Sequence, residues 1–78
     1  MNQIQKFLTR LVPKERQTVE EVIRRVLSLE LAGLDVKKLK SLENMFRVRK
    51  GGVRIIFSVE DKIVTIRRIN RRNDNTYN

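Results

Sequence analysis

The sequence predicts an α+β fold of two layers, in which an N-terminal helical hairpin covers one face of a three-stranded antiparallel sheet. Apolar residues recur at helical spacing through the first part of the chain, and from residue 45 onward they alternate with polar residues as in half-buried strands. Two helices followed by consecutive strands place both helices on the same side of the sheet. A chain of 78 residues makes one small domain, 1–78.

The helical hairpin is predicted at residues 1–31, with helices at 2–11 and 14–31. Pro13 separates them, because proline interrupts one helix and suits the first turn of the next. The apolar positions are Ile4, Phe7, Leu8 and Leu11 in the first helix and Val19, Val22, Ile23, Val26 and Leu27 in the second. Residues 32–44 are predicted to form a connector, anchored to the core by Leu34, Val36, Leu39 and Leu42.

The sheet is predicted at residues 45–69, with strands at 45–50, 53–59 and 62–69, and a polar, basic tail follows at 70–78. Gly51-Gly52 indicates a two-residue hairpin turn. The pairs of that hairpin are Lys50 with Val53, Arg49 with Arg54, Val48 with Ile55, Arg47 with Ile56 and Phe46 with Phe57. A second turn at Glu60-Asp61 is predicted to pair Val59 with Lys62, Phe57 with Val64, Ile56 with Thr65, Ile55 with Ile66 and Arg54 with Arg67.

Directly paired residues share a face of the sheet, so the register predicts two contrasting faces. The face toward the helices holds Phe46, Val48, Val53, Ile55, Phe57, Val64 and Ile66. The opposite face holds Arg47, Arg49, Arg54, Ile56 and Arg67, whereas Arg68 points the other way. Like charges across strands destabilise a sheet, so four clustered arginines indicate an anionic partner. A phosphate backbone is the best candidate.

Charge and composition narrow the function further. The net charge is +9, with nine basic against six acidic residues in 1–44 and nine against three in 45–78. This asymmetry is typical of nucleic-acid binders, although basic proteins also bind acidic proteins. The sequence has no cysteine and no histidine, which argues against disulfides and zinc, and we expect no cofactor. It shows no membrane span and no signal peptide, so a cytoplasmic location is expected.

Three segments resemble the RelE/ParE superfamily of toxins from type II toxin–antitoxin systems. They are residues 39–42 (LKSL), 46–57 (FRVRKGGVRIIF) and 66–72 (IRRINRR), the last leading to Tyr77. Members of this family usually begin with a β-strand before the helices, and this chain begins almost directly in helix one. The resemblance therefore implies a RelE-like fold with three strands in place of four.

The resemblance to the RelE branch implies a ribosome-dependent mRNA endoribonuclease that inhibits translation. Such an enzyme uses no metal and cuts by attack of the ribose 2′-OH on the adjacent phosphate. Its expected partners are the ribosome, mRNA and a small acidic antitoxin. By the same resemblance, Arg47 and Arg49 occupy the two basic positions of the first hairpin strand, Arg54 holds the scissile phosphate, Arg71 is the general acid and Tyr77 the general base. Candidate RNA contacts are Arg47, Arg49, Lys50, Arg54, Arg67 and Arg72.

Two other functions remain open at the level of sequence. The first is the function of ParE-like toxins, which resemble inhibitors of DNA gyrase. Such chains generally lack the basic and tyrosine residues at the nuclease positions. An inactive remnant that only binds its antitoxin or RNA is the second alternative. Tyr77 is the penultimate residue and could equally belong to a frayed terminus.

Overall fold

A computed structural model describes residues 2–39 and 43–71 of the chain. Two helices precede a four-stranded antiparallel sheet whose strands follow one another in chain order. The elements are α1 (Gln3–Thr9), α2 (Pro13–Leu27), β1 (Asp35–Lys38), β2 (Met45–Lys50), β3 (Val53–Glu60) and β4 (Ile63–Arg71). The α+β class is confirmed. No helix in these described residues is long and apolar enough to cross a membrane.

Local signals explain where the helices begin and end. The Asn2 side chain accepts a hydrogen bond from the Gln5 backbone N–H at 2.8 Å, and the two residues form a capping box at the start of α1. Pro13 occupies the first turn of α2, as expected. Helix α2 ends at Leu27, four residues before the predicted end, because Leu29 adopts a left-handed backbone with φ of 56° that no helix can contain.

Strand β1 corrects the prediction of three strands and an irregular connector at 32–44. It pairs with β2, placing Asp35 opposite Arg49 and Val36 opposite Val48. Four residues with one half-buried apolar side chain are too short a pattern to predict a strand from periodicity. The connector residues Leu34 and Val36 pack against the core as predicted, whereas Leu39 lies with residues of the other face of the sheet and Leu42 lies outside the described residues.

The predicted register of the first hairpin is confirmed over all five pairs, from Lys50 with Val53 to Phe46 with Phe57. The predicted second hairpin is wrong. Its turn is Asp61-Lys62, so that Glu60 pairs with Ile63 and Phe57 with Ile66. The register then shifts by one residue at a β-bulge between Ile56 and Phe57.

Beyond the bulge, each residue of β4 faces the opposite side of the sheet from the one predicted. Ile56 pairs with Arg68, Ile55 with Ile69 and Arg54 with Asn70. The predicted pairs of Ile55 with Ile66 and of Arg54 with Arg67 therefore do not form. Two residues of β4, Arg67 and Arg68, now stand against the one residue Ile56, as a β-bulge requires.

The core lies between the helices and one face of the sheet. Its buried members are Leu11, Val19, Val22 and Val26 from the helical part and Val48, Val53, Ile55, Phe57 and Ile69 from the sheet. The rings of Phe46 and Phe57 stack with centroids 5.5 Å apart. The predicted apolar face is therefore the covered one, with Ile69 as an addition. In the part of the chain that the structure describes, both helices lie on this face, and the opposite surface of the sheet is called the open face below.

Candidate functional site

Three strands each contribute one arginine to a concavity on the open face. Arg47 of β2, Arg54 of β3 and Arg68 of β4 line it together with Leu39, Ile56 and Asn70, and its volume is about 430 Å³. Ile56 lies between Arg47 and Arg68 in the pairing of the strands, so its side chain supplies an apolar centre among the guanidinium groups. The concavity combines cationic walls with an apolar floor.

Asp35 of β1 contacts two arginines of the neighbouring strand. Its Oδ2 accepts a hydrogen bond from Arg49 Nε at 3.1 Å, and its Oδ1 accepts one from Arg47 Nη1 at 3.4 Å. The Arg47 Nη1 also donates to the backbone carbonyl of Asp35 at 3.3 Å. The hydrogen bond and charge of Arg49, with a smaller contribution from Arg47, hold the pKa of Asp35 below its usual value. Asp35 is therefore the carboxylate partner of Arg47 and Arg49.

Polar neighbours orient the arginines of β3 and β4. Arg54 Nε donates to the Asn70 side-chain oxygen at 3.3 Å, and Arg67 Nε donates to Ser58 Oγ at 2.9 Å. Ser58 is itself buried. The contact confirms that Arg67 reaches the open side of the sheet, although next to Ser58 and not opposite Arg54 as predicted.

Arg68 is a site residue that the sequence did not predict, because strict alternation places it under the helices. The bulge turns it to the open face, where it lines the concavity with Arg47 and Arg54. A signal for this change was present in the sequence. Ile66 and Ile69 are three residues apart, a spacing that a regular strand cannot bury on one face.

Arg71 lies on the other side of the sheet, opposite Val53 of the covered face. Its guanidinium donates two hydrogen bonds to Glu15 of α2, at 2.6 and 3.0 Å, and lies 5.9 Å from the centre of the Phe7 ring. These hydrogen bonds, and the attraction between the two charges, lower the pKa of Glu15 and raise the pKa of Arg71. The sheet therefore separates Arg71 from Arg54, and the structure does not bring the two together.

The remaining candidates fall into two groups. Lys50 pairs with the buried Val53 and lines concavities beside α2, so it lies on the helix side of the sheet. Arg72 and Tyr77 lie outside the described residues. Within residues 2–39 and 43–71, no three carboxylate, histidine or cysteine side chains come together as a metal site.

Comparisons with known proteins place the fold in a biological context. No protein-family model and no curated protein matches the chain. Among solved structures, it is similar to a chain of the RelB–RelE antitoxin–toxin complex from Methanococcus jannaschii, with 26% identity and a TM-score of 0.71. The match covers 86% of this chain and 81% of that one. The similarity suggests a component of a toxin–antitoxin system, either the toxin or the antitoxin.

Proposed function

We propose that this chain is the toxin of a type II toxin–antitoxin system and that it cleaves mRNA on the ribosome through its open face. The observation that carries the proposal is the convergence of Arg47, Arg54 and Arg68 on one concavity. Convergent guanidinium groups of this kind suit a chain that acts on a phosphodiester, which is why we favour the toxin over the antitoxin. The similarity to a chain of an antitoxin–toxin complex supports the same conclusion.

The concavity suits a phosphodiester undergoing attack. Guanidinium groups present forked donors that match phosphate oxygens, and donors fixed in advance stabilise the negative charge that grows in the transition state. Strands hold the three arginines, so their positions are more rigid than loop residues would be. The apolar surface of Ile56 and Leu39 offers a place for a sugar or base next to the phosphate.

We assign the two proton transfers to Arg68 of β4 and to Tyr77. Arg71 is committed to Glu15 on the helix side, so we assign its proposed place near the leaving oxygen to Arg68, the β4 arginine that faces the concavity. Tyr77 remains the proposed base for the 2′-OH. The ordinary pKa of a tyrosine is about 10, and a cation placed next to a tyrosine favours its phenolate. Arg49 and Arg67 flank the concavity as further RNA contacts.

Induced expression of variants tests this proposal, with growth and mRNA 5′ ends followed together. Arg54→Ala should abolish growth inhibition and cleavage without unfolding the protein, and Arg54→Lys should restore part of the activity, because lysine keeps the charge but loses the forked geometry. Arg68→Ala should act like Arg54→Ala. Arg24→Ala is the matched control, since this exposed arginine pairs with Glu21 on α2.

Tyr77→Phe separates catalysis from binding. Loss of a general base should slow cleavage by roughly two to four orders of magnitude while ribosome binding is retained. Full toxicity of Tyr77→Phe beside an inactive Arg54→Ala would assign the base to another group. If Arg71→Ala were as inactive as Arg54→Ala in a folded protein, the role given to Arg68 would be wrong. Parental toxicity of both Arg54→Ala and Tyr77→Phe, with a fall in DNA supercoiling, would establish gyrase inhibition instead.

One observation favours a second function, binding without cleavage. Carboxylates of this chain already hold Arg47, Arg49 and Arg71, the three cations that the family resemblance assigned to catalysis or substrate positioning along with Arg54. In that case the open face binds RNA or an acidic antitoxin and leaves the RNA intact. Purified protein incubated with programmed ribosomes distinguishes the two functions, because only the enzyme produces new mRNA 5′ ends.

A further inference from the structure

Among residues 2–39 and 43–71, Asp35 is the carboxylate that contacts arginines of the open face. It is the first residue of β1 and pairs directly with Arg49. The Asp35 side chain is 54% exposed, that of Arg49 37% and that of Arg47 only 14%. Its two carboxylate oxygens divide between the two arginines, at 3.1 Å from Arg49 Nε and 3.4 Å from Arg47 Nη1.

A carboxylate in this position uses the same donors that a phosphate needs. Guanidinium groups bind carboxylate and phosphate oxygens with closely similar geometry. Arg47 belongs both to the Asp35 pair and to the concavity that it shares with Arg54 and Arg68. An anion that approaches Arg47 from the concavity therefore meets a guanidinium that already has a partner.

We infer that Asp35 is an internal competitor for phosphate, which weakens anion binding on the open face and restricts it to ligands able to displace a carboxylate. A single phosphate elsewhere in the concavity leaves the Arg47–Asp35 contact intact, whereas linked phosphates that extend to Arg47 must displace Asp35 from it. The selected ligand is thus a chain of consecutive phosphates, such as single-stranded RNA. The identity of that ligand rests on the proposed function, but the competition with Asp35 does not.

A purely structural role for Asp35 makes a different prediction. Arg49 and Arg54 stand directly opposite each other across two strands, an arrangement of like charges that destabilises a sheet. A carboxylate next to Arg49 offsets this repulsion. If Asp35 did only that, its neutralisation would lower the stability of the sheet but would not tighten phosphate binding.

Asp35→Asn tests the competition, because it removes the charge and keeps the shape of the side chain. Asp61→Asn is the matched control: it changes the net charge equally, and asparagine tolerates the left-handed backbone of Asp61, whose φ is 51°. Asp61 follows the far end of β3, about 23 Å from Arg54 at the rise of an extended strand. The probes are a mixed-sequence single-stranded RNA oligonucleotide and inorganic pyrophosphate, each titrated over a range of salt concentrations.

Asp35→Asn should bind both probes about 3- to 10-fold more tightly than the parent, the size expected for releasing exposed ion pairs. Its RNA affinity should also fall more steeply with salt, with a slope larger by about 0.7 for each phosphate gained. Asp61→Asn should show neither change in slope nor comparable tightening. Melting temperatures establish that the variants are folded, and Asp35→Ala must change binding in the same direction.

Several outcomes overturn the inference. Equal affinities of Asp35→Asn and Asp61→Asn would leave Asp35 with the structural role alone. Weaker binding by Asp35→Asn would mean that the carboxylate positions Arg47 and Arg49 for the ligand. Tighter pyrophosphate binding without any RNA binding would uphold the competition and refute the proposed function. Failure of every variant to bind either probe would refute both.

Discussion

The two β-hairpins share strand β3 and differ in how firmly their local sequence sets the register. The first has a glycine turn and six uninterrupted pairs. The second turns at Asp61-Lys62 and contains a bulge after Phe57. Gly51 takes its positive φ of 57° without strain, whereas Asp61 and Lys62 take φ of 51° and 66° although they carry side chains. Turn chemistry thus set the first register, while packing set the second.

The bulge is explained by the packing of Ile69 and Arg68. Without it, Ile69 would face solvent and the charged Arg68 would lie beneath the helices. With it, Ile69 is fully buried and Arg68 lines the open concavity. Burying an isoleucine is worth about 1.5–3 kcal/mol, and burying an unpaired charge costs more than that. The same register shift places Arg71 on the helix side of the sheet. One extra residue in β4 therefore changes the face on which two candidate arginines, Arg68 and Arg71, lie.

The largest expected effect concerns Phe57, which belongs to both hairpins and is fully buried. Phe57→Ala should lower the free energy of unfolding by about 3–5 kcal/mol, because it removes a large ring and leaves a cavity. Urea denaturation measures the loss. Ile56→Ala, one residue along on the open face, is the control and should cost clearly less. Equal losses would mean that both faces of β3 are core.

Gln3 should stabilise the second hairpin and not the first. Its side-chain amide donates to the Ile69 carbonyl at 2.6 Å and accepts from the Ile69 N–H at 3.1 Å, which ties α1 to β4 just beyond the bulge. Gln3→Ala should cost about 1–3 kcal/mol, since it leaves these partly buried backbone groups unpaired. It should also speed amide exchange at Ile69. The exposed Gln17→Ala is the control, and an unchanged exchange rate at Ile69 would show that the bulge needs no tie to α1.

The turns offer a smaller test of the same comparison. Lys62→Gly should raise the free energy of unfolding by up to about 1 kcal/mol, because it relieves a side chain held in the left-handed region. Gly51→Ala should lower it by a similar amount through its backbone alone, since an added Cβ meets no atom within 4 Å. Thermal unfolding of both variants measures the changes. Destabilisation by Lys62→Gly would mean that the lysine side chain supports the second turn.

The smallest expected effect is the pH dependence conferred by Glu15. Because its pKa lies below the ordinary 4.5, its ion pair with Arg71 stabilises the fold fully above about pH 4.5. That stabilisation is lost as the pH falls through the lowered pKa. Glu15→Gln should therefore melt below the parent at pH 7, with a difference that shrinks as the pH drops under 4.5. Glu20→Gln on the same helix is the control. A difference that does not vary with pH would exclude this ion pair as its cause.

The sequence alone determined the two helices, the first β-hairpin and the faces of Arg47, Arg49 and Arg54. Each followed from a local rule: apolar spacing, proline at a helix start, or glycine in a two-residue turn. Strand β1 was not predicted, because the feature that defines it is its pairing with β2. In that pairing Val36 lies opposite Val48 and Asp35 lies opposite Arg49. This pairing joins residues that are far apart in the sequence, and four residues are too few to show a strand pattern of their own.

Only the tertiary structure decided the composition of the open concavity. Arg68 joined it and Arg71 left it because Ile69 had to reach the core that α1 and α2 complete. The spacing of Ile66 and Ile69 hinted at an irregular strand, but a hint of that kind does not say where the extra residue goes. The position of the bulge depends on the free energy of burying Ile69 and on its hydrogen bonds to Gln3, and both exist only once the helices lie on the sheet.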